Sequence, residues 1–583
     1  MGKMGKKLLL ALKKESDHYD LFTESGERRK SDSWNYYPRP QLKRDRYLIL
    51  HDNWTLNQAP IRMPFPPESI LSGYDGKLGK NLKYETTFSL PDTFIEEKIL
   101  LHFGAVDQIA EVYVNGHFAG KHQGGYLHFT LDVTELVRKK EINHLEVRVT
   151  DSLSKEYPYG KQRKKRGGMW YTPISGIWQT VWLENVPTLY IQDIRLKPDL
   201  EGIHVELKTL ESKGFLAEVC LDNGEVLKRN FTGKEGYLNL TDHVCENGTR
   251  YEPKLWTPEH PYLYTLRITT EQDQIETYFA LRTISIEKID GINRVCINKK
   301  PIFMHGVLDQ GYYSDGIYLP AEPEEYERDI LRMKELGFNM LRKHIKVEPD
   351  YFYYYCDKHG MLVVQDMINS GPYSFIRDTA LPTIGMKTRK DRIRGQKKRK
   401  EIFKEHTRET ISQLYNYPCI MTYTIFNEGW GQFDSDEMYE YVRSLDDSRL
   451  IDSTSGWFWQ EKSDFDSEHI YFKNIELNPK ERPMFLSECG GFSRTIEGHI
   501  YSKYNSYGYG TMATEEELTQ AIVKMYEIMV VPAVEKGLCG CVYTQLSDVE
   551  EEVNGLYTYD RKVCKVAKEP MQQLAKKIFL IKS

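Results

Sequence analysis

Two glutamates in this chain each stand where a short apolar run ends beside glycines. Glu428 follows Cys419–Phe426 and Asn427 and is succeeded by Gly429-Trp430-Gly431. Glu488 follows Met484–Ser487 and is succeeded by Cys489-Gly490-Gly491. The first run is rich in β-branched and aromatic residues and too short for a typical helix, so it reads as a buried strand. A carboxylate at a strand's end sits on the rim of a sheet. One alone could simply turn into solvent. Two facing each other across one mouth are the minimum kit for glycoside hydrolysis: one donates a proton to the leaving oxygen, and the other attacks the anomeric carbon or activates a water. Structural coincidence is the bland alternative, but each glutamate lies next to a small residue that leaves room for substrate.

Such a mouth needs a barrel behind it. After residue 286 apolar runs alternate with helical stretches. Eight strands are expected: Ile302–His305, Asn339–Arg342, Met361–Gln365, Cys419–Phe426, Leu450–Thr454, His469–Phe472, Met484–Ser487 and Cys539–Gln545. Amphipathic helices are expected over Glu324–Leu336, Glu401–Tyr415 and Glu515–Lys536. Eight strand–helix units in about 300 residues is the count of a (β/α)8 TIM barrel, whose chemistry sits at the C-terminal ends of its strands. The glutamates end the fourth and seventh strands. Other strand ends add Asp309 and Gln310, then Arg342 and His344, Asp366, Tyr471, and finally Gln545 and Asp548. Arg342 is suited to hold a carboxylate ionised by charge-assisted hydrogen bonds. A lone histidine such as His344 is more often structural than a ligand. Trp430, Trp457 and Trp459 could stack on a sugar or simply pack. Residues 372–400 show no clear period and are expected to form a long loop over the mouth, a candidate lid.

Upstream the texture is all β. Residues 1–43 are polar and form an arm that either lies across a neighbouring domain or subunit or is disordered. Residues 44–186 carry short alternating strands, with an Asn115-Gly116 hairpin signal, as in a jelly-roll β-sandwich. Residues 187–285 have the strand spacing of an immunoglobulin-like β-sandwich. Residues 286–583 form the barrel domain.

Bulk composition removes other classes. The chain has 583 residues, 40% hydrophobic and 28% charged, enough for several domains of ordinary soluble type. A net charge of −6 argues against binding nucleic acid by phosphate neutralisation. No stretch is long enough to span a membrane. Nine scattered cysteines favour free thiols over a disulfide framework, and Met1–Lys14 lacks a secretory signal, so a cytoplasmic enzyme is expected.

These residues carry a resemblance. Leu101–Val106 with Val112–Gly116, Ser175–Gln179, Phe279–Arg282, Gly337–Arg342 with His344, Asn427-Glu428, and Ser487-Glu488 with Gly490-Gly491 resemble, in order, the motifs of family 2 glycoside hydrolases, the β-galactosidase, β-glucuronidase and β-mannosidase group. The resemblance runs from about residue 40 to the end. It implies that Glu428 is the general acid/base and Glu488 the nucleophile of a retaining mechanism with a covalent glycosyl-enzyme. It implies that Asn427 bonds the sugar's 2-hydroxyl and that Tyr471 bonds the nucleophile. It also implies that Glu428 begins the reaction protonated.

The glucuronidases' Asn-x-Lys motif is absent. The matching stretch is Glu552-Val553-Asn554, and the acidic run Glu550–Glu552 would repel a sugar acid unless Arg561 or Lys562 reaches in. A terminal β-linked neutral hexoside is therefore the expected substrate, β-galactoside first, with β-glucuronidase or β-mannosidase as alternatives within the family. A carbohydrate-binding protein on an inactive barrel is the non-enzyme alternative. Asp366 falls near one metal-ligand position of the large β-galactosidases but has no evident companion, so no required metal and no cofactor are expected. Arg342, His344, Asp309, Trp457 and Gln545 join Asn427 and Tyr471 as expected substrate contacts. Carbohydrate is the expected partner, and a homo-oligomer is compatible with the β-domains.

Overall fold

The computed structural model describes residues 17–581 apart from 29, 31, 384–385, 387–396, 459 and 472–474. Trp459, Phe472 and much of the expected lid lie outside the described residues. Before the lid gap, Ile376–Ala380 and Leu381–Thr383 are short helical turns. No helix among the described residues is long and apolar enough to cross a membrane.

The first sandwich packs a four-stranded antiparallel sheet, built on Val181–Val186 and Lys98–Phe103, against a six-stranded one built on Asn81–Phe88, Asn143–Thr150 and Ile109–Val114. The three named strands of the six-stranded sheet alternate because only one of its faces is buried, so that Leu145, Val147 and Val149 point into the core between exposed or half-buried neighbours, whereas Val181–Val186 is buried on both faces. The second sandwich has three and four strands. Two of these were not expected from sequence, Val226–Thr232 and Glu235–Asn239, which are largely solvent-facing and carry Lys228, Arg229 and Asn230 where an apolar pattern would be sought. A further three-stranded antiparallel sheet, Ile284–Ile289, Ile292–Ile297 and Lys300–Pro301, leads into the barrel and was also not anticipated.

All eight expected barrel strands form one parallel sheet, in the order fifth, fourth, third, second, first, eighth, seventh, sixth. They are Met304–Asp309, Met340–Lys343, Leu362–Asp366, Ile420–Asn427, Leu450–Ser455, Asp466–Tyr471, Met484–Gly490 and Leu538–Thr544. Among the described residues no ladder joins the fifth and sixth. Ser467 Oγ instead donates to Asp452 Oδ2 at 2.8 Å across that seam. Seven of the strands are buried on both faces, which is why they read as continuous apolar runs rather than alternating ones. The outer helices cover them. Tyr326, Ile330 and Met333 form the buried stripe of Glu324–Glu335, and Leu518, Ile522, Met525 and Met529 that of Glu515–Met529, whose first turn is capped by the Thr514 side chain.

The described part of the N-terminal arm docks on the barrel. Thr23 donates from its amide and its hydroxyl to Asp315 Oδ2 at 2.8 and 2.7 Å, and the Trp34 indole donates to Pro320 O at 3.0 Å. Arg39 and Arg44 then reach the buried Glu184 of the first sandwich, and Arg44 also bonds Asp273 of the second at 2.6 Å. Arg282 closes the second sandwich onto the barrel by donating to Pro418 O and Ile420 O, at the start of the fourth strand.

Candidate active site

The fourth strand ends in a sharp turn. Glu428 has φ 52°, followed by Gly429 at 69° and Gly431 at 72°. The left-handed region is costly for a side-chain-bearing residue, and a Glu held there marks a position fixed for its side chain. Gly429 has no alternative: a methyl there would lie 2.6 Å from the Phe458 ring. At the end of the seventh strand, Gly490 at φ 78° keeps the space that a methyl would contest with the Tyr543 ring at 2.5 Å. Both turns present a buried carboxylate to the same mouth.

Arg342, at the end of the second strand and fully buried, organises the floor. It donates to Asp366 Oδ1 and Oδ2 at 3.0 and 3.1 Å, to Glu488 Oε1 at 3.0 Å, to Ser487 O at 3.0 Å, to Asn427 Oδ1 at 3.0 Å and to Ser455 Oγ at 2.9 Å. Five strands are thus tied through one guanidinium, whose planar fork suits the paired oxygens. Asn427 Oδ1 also accepts from Ser455 Oγ at 2.9 Å, so the amide's donor end is the end left for a ligand.

The two glutamates are joined through His469 on the sixth strand. Its Nδ1 is hydrogen-bonded to Glu428 Oε1 at 2.9 Å, and its Nε2 lies 3.6 Å from Glu488 Oε1. The ligand atoms of Glu428, His469 and Glu488 all lie within 4.8 Å of one another, close enough to chelate a cation. Tyr471, two residues further along the sixth strand, donates its hydroxyl to Glu488 Oε2 at 2.5 Å. Burial alone would push the Glu488 carboxyl up. Facing His469 and Arg342, with His344 and the Tyr471 hydroxyl adding, it is instead held at about 2. Asp366 likewise would be raised by burial but is held below its ordinary value by Arg342 and His344. Burial pushes the His344 imidazole down, against the pull of its 2.8 Å bond to Asp366.

The remaining sequence-derived candidates are placed differently. Asp309 joins a neighbouring network, paired with Lys343 at 2.5 Å, which also bonds Glu348. Trp457 spends its indole N–H on His469 O at 3.1 Å and so braces that histidine. Gln545 donates to Asn554 Oδ1 at 2.9 Å, leaving its buried Oε1 without a partner among the described residues. Trp430 packs edge-on against Trp170, Tyr159 and Tyr373. Arg561 is committed to Asp329, Tyr559 O and Tyr312 O, and Lys562 to Glu27, so neither turns to the mouth. Sequence reading overlooked His469 as a site residue. The signal was present, since alternation along a strand puts His469 and Tyr471 on one face.

The wall over this floor comes from another domain. Residues 151–175 of the first sandwich enter the mouth. Tyr159 N donates to Asn369 O at 3.1 Å, Tyr159 Oη to Gly371 O at 2.8 Å and Thr172 N to Glu550 Oε1 at 2.8 Å, while the Tyr171 hydroxyl bonds Glu552.

Comparison with known proteins agrees with this arrangement. Residues 77–176 match the glycosyl hydrolase 2 galactose-binding domain-like model, residues 189–282 the glycosyl hydrolases family 2 model, and residues 288–536 the glycosyl hydrolases family 2 TIM barrel domain. A β-galactosidase of Thermoanaerobacter pseudethanolicus is 26% identical over 382 residues, covering 63% of this chain and 47% of the relative. The chain spans about half the length of the curated relatives it matches, from 47% to 59% for the first three. Among solved structures, a β-D-glucuronidase of Dictyoglomus thermophilum superposes with a TM-score of 0.72 at 20% identity, covering 94% of this chain and 99% of the other. A β-galacturonidase of Eisenbergiella tayi gives 0.66 at 19%, covering 93% and 99%.

Proposed function

The chain belongs to family 2 of the glycoside hydrolases, and on that premise we propose that it is a retaining exo-β-glycosidase of terminal β-linked neutral hexosides, β-galactosides first. The observation that carries the mechanism is the approach of Glu428 and Glu488, whose ligand oxygens come within 4.8 Å with His469 between them. Retaining enzymes hold their carboxyls about 5–5.5 Å apart, whereas inverting ones need roughly 6.5–9.5 Å to admit a water.

In this reading Glu488 is the nucleophile. Its carboxylate stays ionised because Arg342 and Tyr471 bond it, and Arg342 also fixes its direction of attack. Glu428 delivers a proton to the departing oxygen as the bond from Glu488 to the anomeric carbon forms. Esterification removes the negative charge facing Glu428, which then accepts a proton from water as that water displaces Glu488. The donor end of Asn427 meets the glycone 2-hydroxyl, where contacts strengthen in the transition state. A neutral glycone is supported by the surroundings: Glu552 lies against Tyr171 of the wall, and the two cations nearest to it in sequence, Arg561 and Lys562, are committed elsewhere.

A panel of aryl β-glycosides tests this with wild type and Glu488→Gln. Cleavage of a neutral β-hexoside that is lost in Glu488→Gln is the expected result. A wild type inactive on the whole panel, or a fully active Glu488→Gln, overturns the proposal.

A further inference from the structure

Four lysines are buried among the described residues: Lys161, Lys343, Lys346 and Lys565. Three are saturated. Lys343 bonds Asp309 and Glu348, Lys346 bonds Glu348, Gly311 O and Tyr318 O, and Lys565 bonds Asp548, Arg494 O and Val553 O. Lys161 is only 8% exposed, yet its ammonium makes no hydrogen bond or ion pair with a described residue. Its one contact of note is the Trp170 ring, 5.7 Å from Nζ to the centroid. An ammonium held in a nearly buried side chain with no described protein partner keeps all three of its donors for whatever enters the mouth.

The backbone holds Lys161 in place from both sides. Gly160 has φ 64°, and a methyl there would meet the Tyr126 hydroxyl at 2.7 Å and Ile345 O at 2.9 Å, just past the second strand. Gln162 is locked by bonds to Asp107, the Tyr126 hydroxyl and Ile174 N. Lys161 O accepts from Tyr171 N at 3.1 Å, and the Tyr171 hydroxyl bonds Glu552. Lys161 therefore enters from the first domain beside the ends of the second and eighth strands, with its ammonium over the Trp170 ring. Its charge is felt at both. Burial raises the Glu552 carboxyl and Lys161 opposes that rise, while at His344 burial and Lys161 both act to lower the imidazole.

We infer that Lys161 is a specificity-determining residue of the glycone pocket, where its ammonium donates to a hydroxyl of a neutral sugar while Glu552 accepts from a neighbouring one. Lys161 supplies donors without acceptors, while Glu552, which already accepts from the Tyr171 hydroxyl and from Asn554 Nδ2 at 2.9 Å, has lone pairs left to accept more, so adjacent hydroxyls, which do both, satisfy the pair. A glycone carboxylate would satisfy Lys161 but set its oxygens against those of Glu552, which disfavours it. This inference rests on the glycosidase reading above and adds to it a contact from outside the barrel.

The test is Lys161→Met, which keeps the stem and removes the charge, with 4-nitrophenyl β-galactoside and 4-nitrophenyl β-glucuronide as probes. The expected result is a fall in kcat/KM for the neutral glycoside of about 10- to 100-fold, the range for one hydrogen bond to a charged donor. The melting temperature of the sugar-free protein should hold, because the ammonium that is removed bonds no described residue and the apolar stem is kept. The rise in melting temperature caused by free galactose, measured in Glu488→Gln, should be lost in the double variant. A wild type that cleaves the galactoside with a Lys161→Met variant within threefold of it overturns this inference and leaves the glycosidase reading standing. So does a wild type that prefers the glucuronide and loses that preference on substitution, since Lys161 is then a carboxylate receptor. A wild type inactive on every aryl glycoside overturns both.

Discussion

His469 is hydrogen-bonded to Glu428 at 2.9 Å, with its other ring nitrogen 3.6 Å from Glu488. In the proposed mechanism one imidazole therefore touches the group that gains and loses a proton and faces the group that stays ionised. Replacing it with alanine removes the only side-chain hydrogen bond described for Glu428 and a polar neighbour of Glu488. The expected loss in kcat is about 10²-fold or more, with a displaced pH–rate profile. A His469→Ala variant with unchanged kcat and profile would show that this histidine only packs.

Glu428→Ala separates the acid role from mere proximity. Activated aryl leaving groups depart without protonation, so they should lose little in the first step, whereas alkyl glycosides should lose about 10²–10⁴-fold. Equal losses across a series of leaving groups would remove Glu428 from that role.

The depressed Glu488 carboxyl makes a prediction about stability. Its folded value of about 2 lies below the ordinary 4.5. The ionised form is therefore the one the fold favours, and its contribution is fully present above pH 4.5 and fades as pH falls toward 2. In urea unfolding, the difference between wild type and Glu488→Gln should shift against wild type as pH drops from 5 to 2. Arg342→Met removes one of the cations holding the value down, so the acid limb of any residual activity should move to higher pH. A limb that stays put or moves lower would contradict the assignment.

Gly429→Ala tests the turn that aims Glu428. The left-handed backbone and the 2.6 Å approach to Phe458 both oppose a methyl group. The cost should be about 1–2 kcal/mol or more in unfolding free energy, with kcat falling further than that alone explains because Glu428 is displaced. A silent substitution would mean that the turn can relax without moving the carboxylate.

The barrel was legible because doubly covered parallel strands write themselves as apolar runs, and all eight were found. Their edges were less so. The first strand extends to Asp309, whose charge looks like a loop residue until Lys343 is seen pairing it. The sixth begins at Asp466, in a polar Asp-Ser-Glu-His stretch that hides a half-covered strand. Strands Val226–Thr232 and Glu235–Asn239 escaped because exposed strands bury too little to show a pattern.

Within the site, strand ends named Glu428, Glu488, Asn427, Arg342 and Tyr471, and the structure brings them together around one guanidinium and one imidazole. Lys161 was beyond reach. Nothing local distinguishes a lysine in a Gly-Lys-Gln stretch, and its setting depends on residues from Ile345 to Glu552.

The clasp of residues 151–175 over the mouth has a consequence for handling the protein. Preparations in which the first sandwich has swung away would retain a folded barrel, both glutamates and an unchanged helical signal in circular dichroism. They would nonetheless offer sugar a trough open along one side. Specific activity is then a gauge of how well the domains are seated on each other, and it should decay under mild denaturant before the barrel itself melts.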